Sequence, residues 1–146
     1  MSLPEPVPGL VIRHAFLWSH EAGRGQSEAA KARPCAIVIA TARRPHGPVR
    51  VTVAPITHSP PDDIETCVEF PVEIARSLGL DDGRQWLRFD ELNVFDWPGF
   101  DLSPIPGSPS KFAYGMLPRG FFETVKRAML ERIRSRKRPS ILSRDE

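Results

Sequence analysis

The feature that most limits what this chain can become is an unbroken apolar run, Cys35–Ala42 (CAIVIATA), followed after a short turn by the alternating segment Val49–Pro55. An apolar run of this length, rich in β-branched residues and bounded by turn signals, predicts a buried central strand. In the second segment Val49, Val51 and Val53 alternate with Arg50, Thr52 and Ala54, the period of a half-buried strand. The connection, Arg43–Pro48, carries Pro45, Gly47 and Pro48, so the two strands are expected to pair antiparallel.

Around this hairpin the other segments are short. Residues 1–9 hold three prolines and predict an extended lead-in, followed by a strand over Val11–Trp18. Ser19–Ala32, with Gly23, Gly25 and many polar side chains, predicts a long mobile loop of the kind that often carries function. A short strand is expected at Thr66–Phe70 and a short helix over Pro71–Gly79, with Pro71 at its entry and Gly79 at its exit. Arg84–Phe89 reads as a strand that continues into an extended stretch near Asn93–Trp97. Pro98–Ser110 reads as a loop. Pro118 opens a last helix whose Phe122, Val125, Met129 and Ile133, joined by Phe121 and Ala128, recur at helical spacing and predict core contact. The sum is an α+β, mostly β fold: a small barrel or half-barrel with one short helix and a C-terminal helix. The 146 residues fit one domain, 1–134, with 135–146 as a basic, flexible tail.

The net charge of +2 hides an asymmetry. Residues 126–144 carry eight basic side chains and one acidic; residues 1–125 carry twelve basic and fifteen acidic. Such an end can lean on nucleic acid, or simply solvate a helix terminus. Cys35 and Cys67 form no CxxC, and Cys35 lies in the apolar run, so a core residue is expected rather than a disulfide framework. No basic-then-apolar leader and no apolar run of membrane length occur, so the expected location is the cytoplasm. His14, His20, His46 and His58 match no zinc spacing, and no Walker loop, GxGxxG or nucleophile elbow is present. No metal or cofactor is expected.

Three segments carry candidate chemistry. In Trp86-Leu-Arg-Phe-Asp90, strand alternation sends Leu87 and Phe89 to the core and leaves Trp86, Arg88 and Asp90 on the other face. Arg88 and Asp90 can form a surface ion pair, or can hold a phosphate oxygen and take a proton. Arg33 precedes Pro34, which holds it extended at the mouth of the buried strand, a suitable phosphate clamp. Thr57-His58-Ser59 follows the next strand and offers hydroxyls to a phosphate or base edge.

In order, these pieces resemble the PemK/MazF-type toxins of bacterial toxin–antitoxin pairs. The likeness rests on Lys31-Ala-Arg-Pro-Cys-Ala-Ile-Val-Ile39, on Val51-Thr-Val-Ala-Pro-Ile-Thr57, on Trp86-Leu-Arg-Phe-Asp-Glu-Leu-Asn-Val-Phe-Asp96 and on the helix opening near Pro118. It runs over roughly residues 8–133. It implies an SH3-like barrel of the PemK/MazF/CcdB kind, a homodimer and metal-independent endoribonuclease activity on single-stranded RNA. A cognate antitoxin is implied, with DNA contact only through it, and no membrane. By position the resemblance places Arg33, Thr57, Arg88 and Asp90 at the cleavage site. Asp90 is the implied base and Arg88 the acid or phosphate partner, Arg33 stabilises transition-state charge, and Thr57 orients the phosphate. His58, Ser59, His20 and Trp86 form a second tier of RNA-binding candidates. His58 stands where relatives often have a small residue, Glu91 replaces a commonly amide residue, and Trp97–Asp101 and the basic tail are additions. Two alternatives stay open: a non-catalytic inhibitor of the gyrase-poison type, and an RNA-binding or regulatory module without catalysis.

Overall fold

The computed structural model describes residues 3–24, 31–42, 44–135 and 137–145. The expected hairpin is its centre. Strand β2 (Ala32–Ala42) pairs antiparallel with β3 (Val49–Thr57), with Cys35 across from Pro55 and Ala42 across from Val49. Cys35, Ala36, Ile37 and Val38 are all buried because the sheet is covered on both sides. Ala36 and Val38 face one cluster with Ala54, Ile56, Leu87 and Phe89; Cys35 and Ile37 face another with Ile12, Val51, Val53 and Phe95. A continuous apolar run is what such a strand requires.

Strand β1 (Leu10–Ala15) flanks β2, and β7 (Ala113–Met116) flanks β1. On the other side β3 divides its partners. Residues 50–53 pair with β6 (Glu91–Asp96), while Ile56 and Thr57 pair with β5 (Gln85–Arg88), which pairs in turn with β4 (Cys67–Phe70). Splitting one strand between two neighbours curls the sheet into a half-barrel. The first cluster is closed by α2 (Val72–Ser77), through Ala75, and by α3 (Arg119–Arg134), through Val125 and Met129. Pro71 and Pro118 stand just before these helices, where a missing N–H costs nothing. Among the described residues no helix is long and apolar enough to cross a membrane.

The expectations need correction in four places. Ser19–Ala32 is not all loop: Ser19–Gly23 form α1, and Ala32 already belongs to β2, while residues 25–30 lie outside the described residues. Trp18 does not end a strand; its N–H donates to Glu21 Oε1 at 3.0 Å and so starts α1. Ile133, expected in the core stripe of α3, is 44% exposed, and the stripe's buried part ends at Met129. Lastly, the tail is not free over its length. Ser140–Ser143 form β8, parallel to β6, and Arg144 folds in behind it. The Arg144 guanidinium donates to Asp101 Oδ2 at 2.8 Å and Oδ1 at 3.2 Å, with both side chains buried, and lies over Phe100.

Candidate functional site

Register fixes which candidates share a face. Residues directly opposed in an antiparallel pair point the same way, as do residues two apart on a strand. Cys35 opposes Pro55, so Arg33, two before, and Thr57, two after, lie on one side. Thr57 opposes Trp86, which brings Trp86 and Arg88 to that side as well. Leu87 and Phe89 turn to the core, 0% and 2% exposed, as their alternation predicts. Thus Arg33, Thr57, Trp86 and Arg88 line one face from three strands.

Arg33 and Thr57 also meet in a hollow of about 250 Å³ where β2 begins and β3 ends. Arg13, Lys31, His58 and Ser59 line it with them; Asp81 and Gln85 complete its wall. Arg13, Lys31 and Arg33 bring three cations against one carboxylate, so the hollow favours an anion. Arg33 Nε is buried and finds no acceptor among the described residues. An unmet buried donor is costly, and a phosphate oxygen in the hollow would relieve it. Arg13 Nη1 donates to the Tyr114 hydroxyl at 3.0 Å. Thr57 Oγ1 accepts from Ser59 N–H at 3.1 Å, which leaves its own hydroxyl hydrogen to donate.

His58 is held by its backbone neighbours. Its Nδ1 lies 3.0 Å from the Arg84 carbonyl oxygen. A carbonyl only accepts, so Nδ1 carries the hydrogen and Nε2 is the open ring atom. Nε2 is 3.9 Å from Asp81 Oδ2. Arg84 donates to Glu69 through Nε at 2.9 Å and Nη2 at 2.8 Å in an exposed pair, and its guanidinium lies 5.0 Å from the centre of the half-buried Trp86 ring.

Arg88 and Asp90 do not line the hollow. They close on each other, Nε to Oδ1 at 3.0 Å and Nη2 to Oδ2 at 2.7 Å, with Glu91 Oε2 at 3.9 Å. Burial opposes the Arg88 charge, but the hydrogen bonds and charge of Asp90 outweigh it, holding the guanidinium above its ordinary pKa. Arg88 is therefore a poor proton donor. What joins this pair to the hollow is Trp18. The guanidiniums of Arg33 and Arg88 lie 5.2 and 4.8 Å from the centre of its ring. Glu91 supports the same tryptophan's helix, since its Oε1 accepts from Ser19 N–H at 2.6 Å. His20 is an exposed residue of α1 and does not line the hollow.

The sequence reading missed Arg13, Lys31 and Trp18. Lys31 could have been found, because it stands two residues before Arg33, although just outside the strand. Arg13, a polar residue between Ile12 and His14, gave only a weak signal. Trp18 gave none, since its role depends on residues brought from β2 and β5. Among the described residues no three His, Cys, Asp or Glu side chains are grouped to hold a metal ion. Comparison with protein-family models, curated proteins and solved structures finds no match to this chain.

Proposed function

We propose that this chain is a metal-independent endoribonuclease of the PemK/MazF toxin type, built on an SH3-like barrel and acting on single-stranded RNA. The observation that carries the reading is the hollow shared by Arg33 and Thr57, with Lys31, Arg13, His58 and Ser59 around it. A phosphodiester fits its charge and its size. Arg33 and Lys31 hold the non-bridging oxygens and offset the charge that builds as the phosphorus becomes five-coordinate. Thr57 donates to the same phosphate and fixes its orientation. Trp86, opposite Thr57, supplies an aromatic flank for an unpaired base. The Arg88–Asp90 pair extends the polar face beyond Trp18, where its guanidinium can meet a neighbouring phosphate. The reaction is attack of a ribose 2′-OH on the adjacent phosphorus, leaving a 2′,3′-cyclic phosphate and a 5′-OH. The homodimer and the cognate antitoxin rest on the resemblance alone.

The test is incubation of purified protein with a long single-stranded RNA in EDTA. Cutting that leaves 5′-OH ends, and that Arg33→Ala removes while the circular dichroism spectrum is kept, supports the reading. A wild-type protein that leaves the RNA intact refutes it. One observation favours a second reading, RNA binding without cleavage: Arg88 and Asp90 satisfy each other. In that case RNA is bound with strong salt dependence and is not cut.

A further inference from the structure

We propose that His58 Nε2 is the base that takes the proton from the attacking 2′-OH. The inference rests on the ribonuclease reading and adds the group that moves the proton. It starts from an elimination among side chains at the site. Both carboxylate oxygens of Asp90 are engaged by Arg88, and neither residue lines the hollow. Guanidiniums and ammoniums hold their protons too tightly to act as a base. Asp81 reaches the wall of the hollow, but its carboxylate is 93% exposed and stands in water. His58 lines the hollow beside Thr57, and imidazole is the side chain whose ordinary titration lies nearest neutral pH.

Its ring is also pre-set for the task. The Arg84 carbonyl accepts from Nδ1–H, so the open nitrogen is Nε2. Gly83, at φ +100°, brings the 81–84 loop against the ring; a Cβ there would lie 3.7 Å from Nδ1. Arg84, whose carbonyl orients the ring, also donates to Glu69 through Nε and Nη2 in an exposed pair. Nε2 accepts the 2′-OH proton, the O2′–P bond forms and the P–O5′ bond breaks. The departing 5′-oxygen takes a proton from water, and the imidazolium returns its own to the hydroxide so formed.

The experiment measures cleavage of a defined single-stranded RNA by wild type, His58→Ala and His58→Gln, with binding of the 2′-O-methyl form of the same RNA measured separately. The expected result is a loss in kcat of about 100-fold or more in both variants. Affinity for the 2′-O-methyl RNA stays within about threefold, because Arg33, Lys31 and Thr57 still hold the phosphate. Added imidazole restores part of the His58→Ala rate, as a missing base predicts. Variants that cut within about threefold of wild type overturn the assignment of His58 and leave the ribonuclease reading standing. A wild-type protein that never cuts overturns both.

Discussion

His14 lies across from Arg33, at 0% exposure, and its environment makes a sharp statement about acid stability. Its ring stacks on Phe95 with centroids 4.9 Å apart, and Nε2 lies 3.2 Å from Asn93 Oδ1. Nδ1 has no partner among the described residues, so a second proton would put a charge and an unmet donor into the core. Desolvation by burial dominates and lowers the pKa from 6.5 to about 4; the Asn93 bond and the Asp101 charge oppose it, and Arg144 adds to it. Between these two values the unfolded chain binds more protons than the folded one. Stability is therefore full above pH 6.5 and falls as pH drops toward 4. The full contribution is about 3 kcal/mol, of which about 2 kcal/mol is lost between pH 7 and about pH 4.5. Urea unfolding at a series of pH values, for wild type and His14→Phe, isolates it, since the carboxylates titrate in both. The variant keeps a ring against Phe95 and Asn93 keeps its bonds to Leu17. The difference between the two free energies should shift by about 2 kcal/mol across that window. Parallel curves would refute the reasoning.

Three further outcomes follow from the packing and the site. Arg144→Ala leaves the Asp101 carboxylate buried without its partner and should cost about 3–5 kcal/mol in urea unfolding, with Asp101→Asn in the same chain recovering part of it. Gly99→Ala should cost about 2 kcal/mol or more by thermal unfolding, because Gly99 sits at φ +68° and an added Cβ would lie 2.7 Å from the Phe95 ring. Arg33→Lys keeps the charge but not the planar fork, so RNA cleavage should fall roughly tenfold to a hundredfold, while Arg33→Ala loses about 100-fold or more.

The hairpin was legible because its signal is local: β2 and β3 carry enough apolar and alternating residues to declare themselves. Helices α2 and α3 were legible through Pro71 and Pro118, whereas α1 was not. Strand β7, Ala113–Met116, was not, because four residues with Gly115 at φ +138° have little strand preference of their own and hold their place by pairing with β1. Strand β8 was hidden for a related reason. Ser140–Ser143 sit in a basic context that reads as solvated, and what fixes them is β6 together with the buried Arg144–Asp101 pair from distant parts of the chain. At the site, Arg33 and Thr57 were legible from Arg-Pro and from the strand end, and the hollow joins them. That Arg88 and Asp90 would close on each other followed from their spacing. That Arg33 and Arg88 would lie over one tryptophan did not, because Trp18 comes from a segment with no local sign of that role.

The central claim is that a ribose hydroxyl in the Arg33–Thr57 hollow attacks its own phosphate. The direct measurement is a single-stranded oligonucleotide carrying one 2′-deoxy nucleotide immediately 5′ to the mapped scissile phosphate, incubated with the wild-type protein in EDTA. This bond should stay intact while the all-ribose oligonucleotide is cut there, with a 2′,3′-cyclic phosphate on one fragment and a 5′-OH on the other. Cutting at the deoxy-substituted bond, or cutting only when a divalent metal is restored, would contradict it.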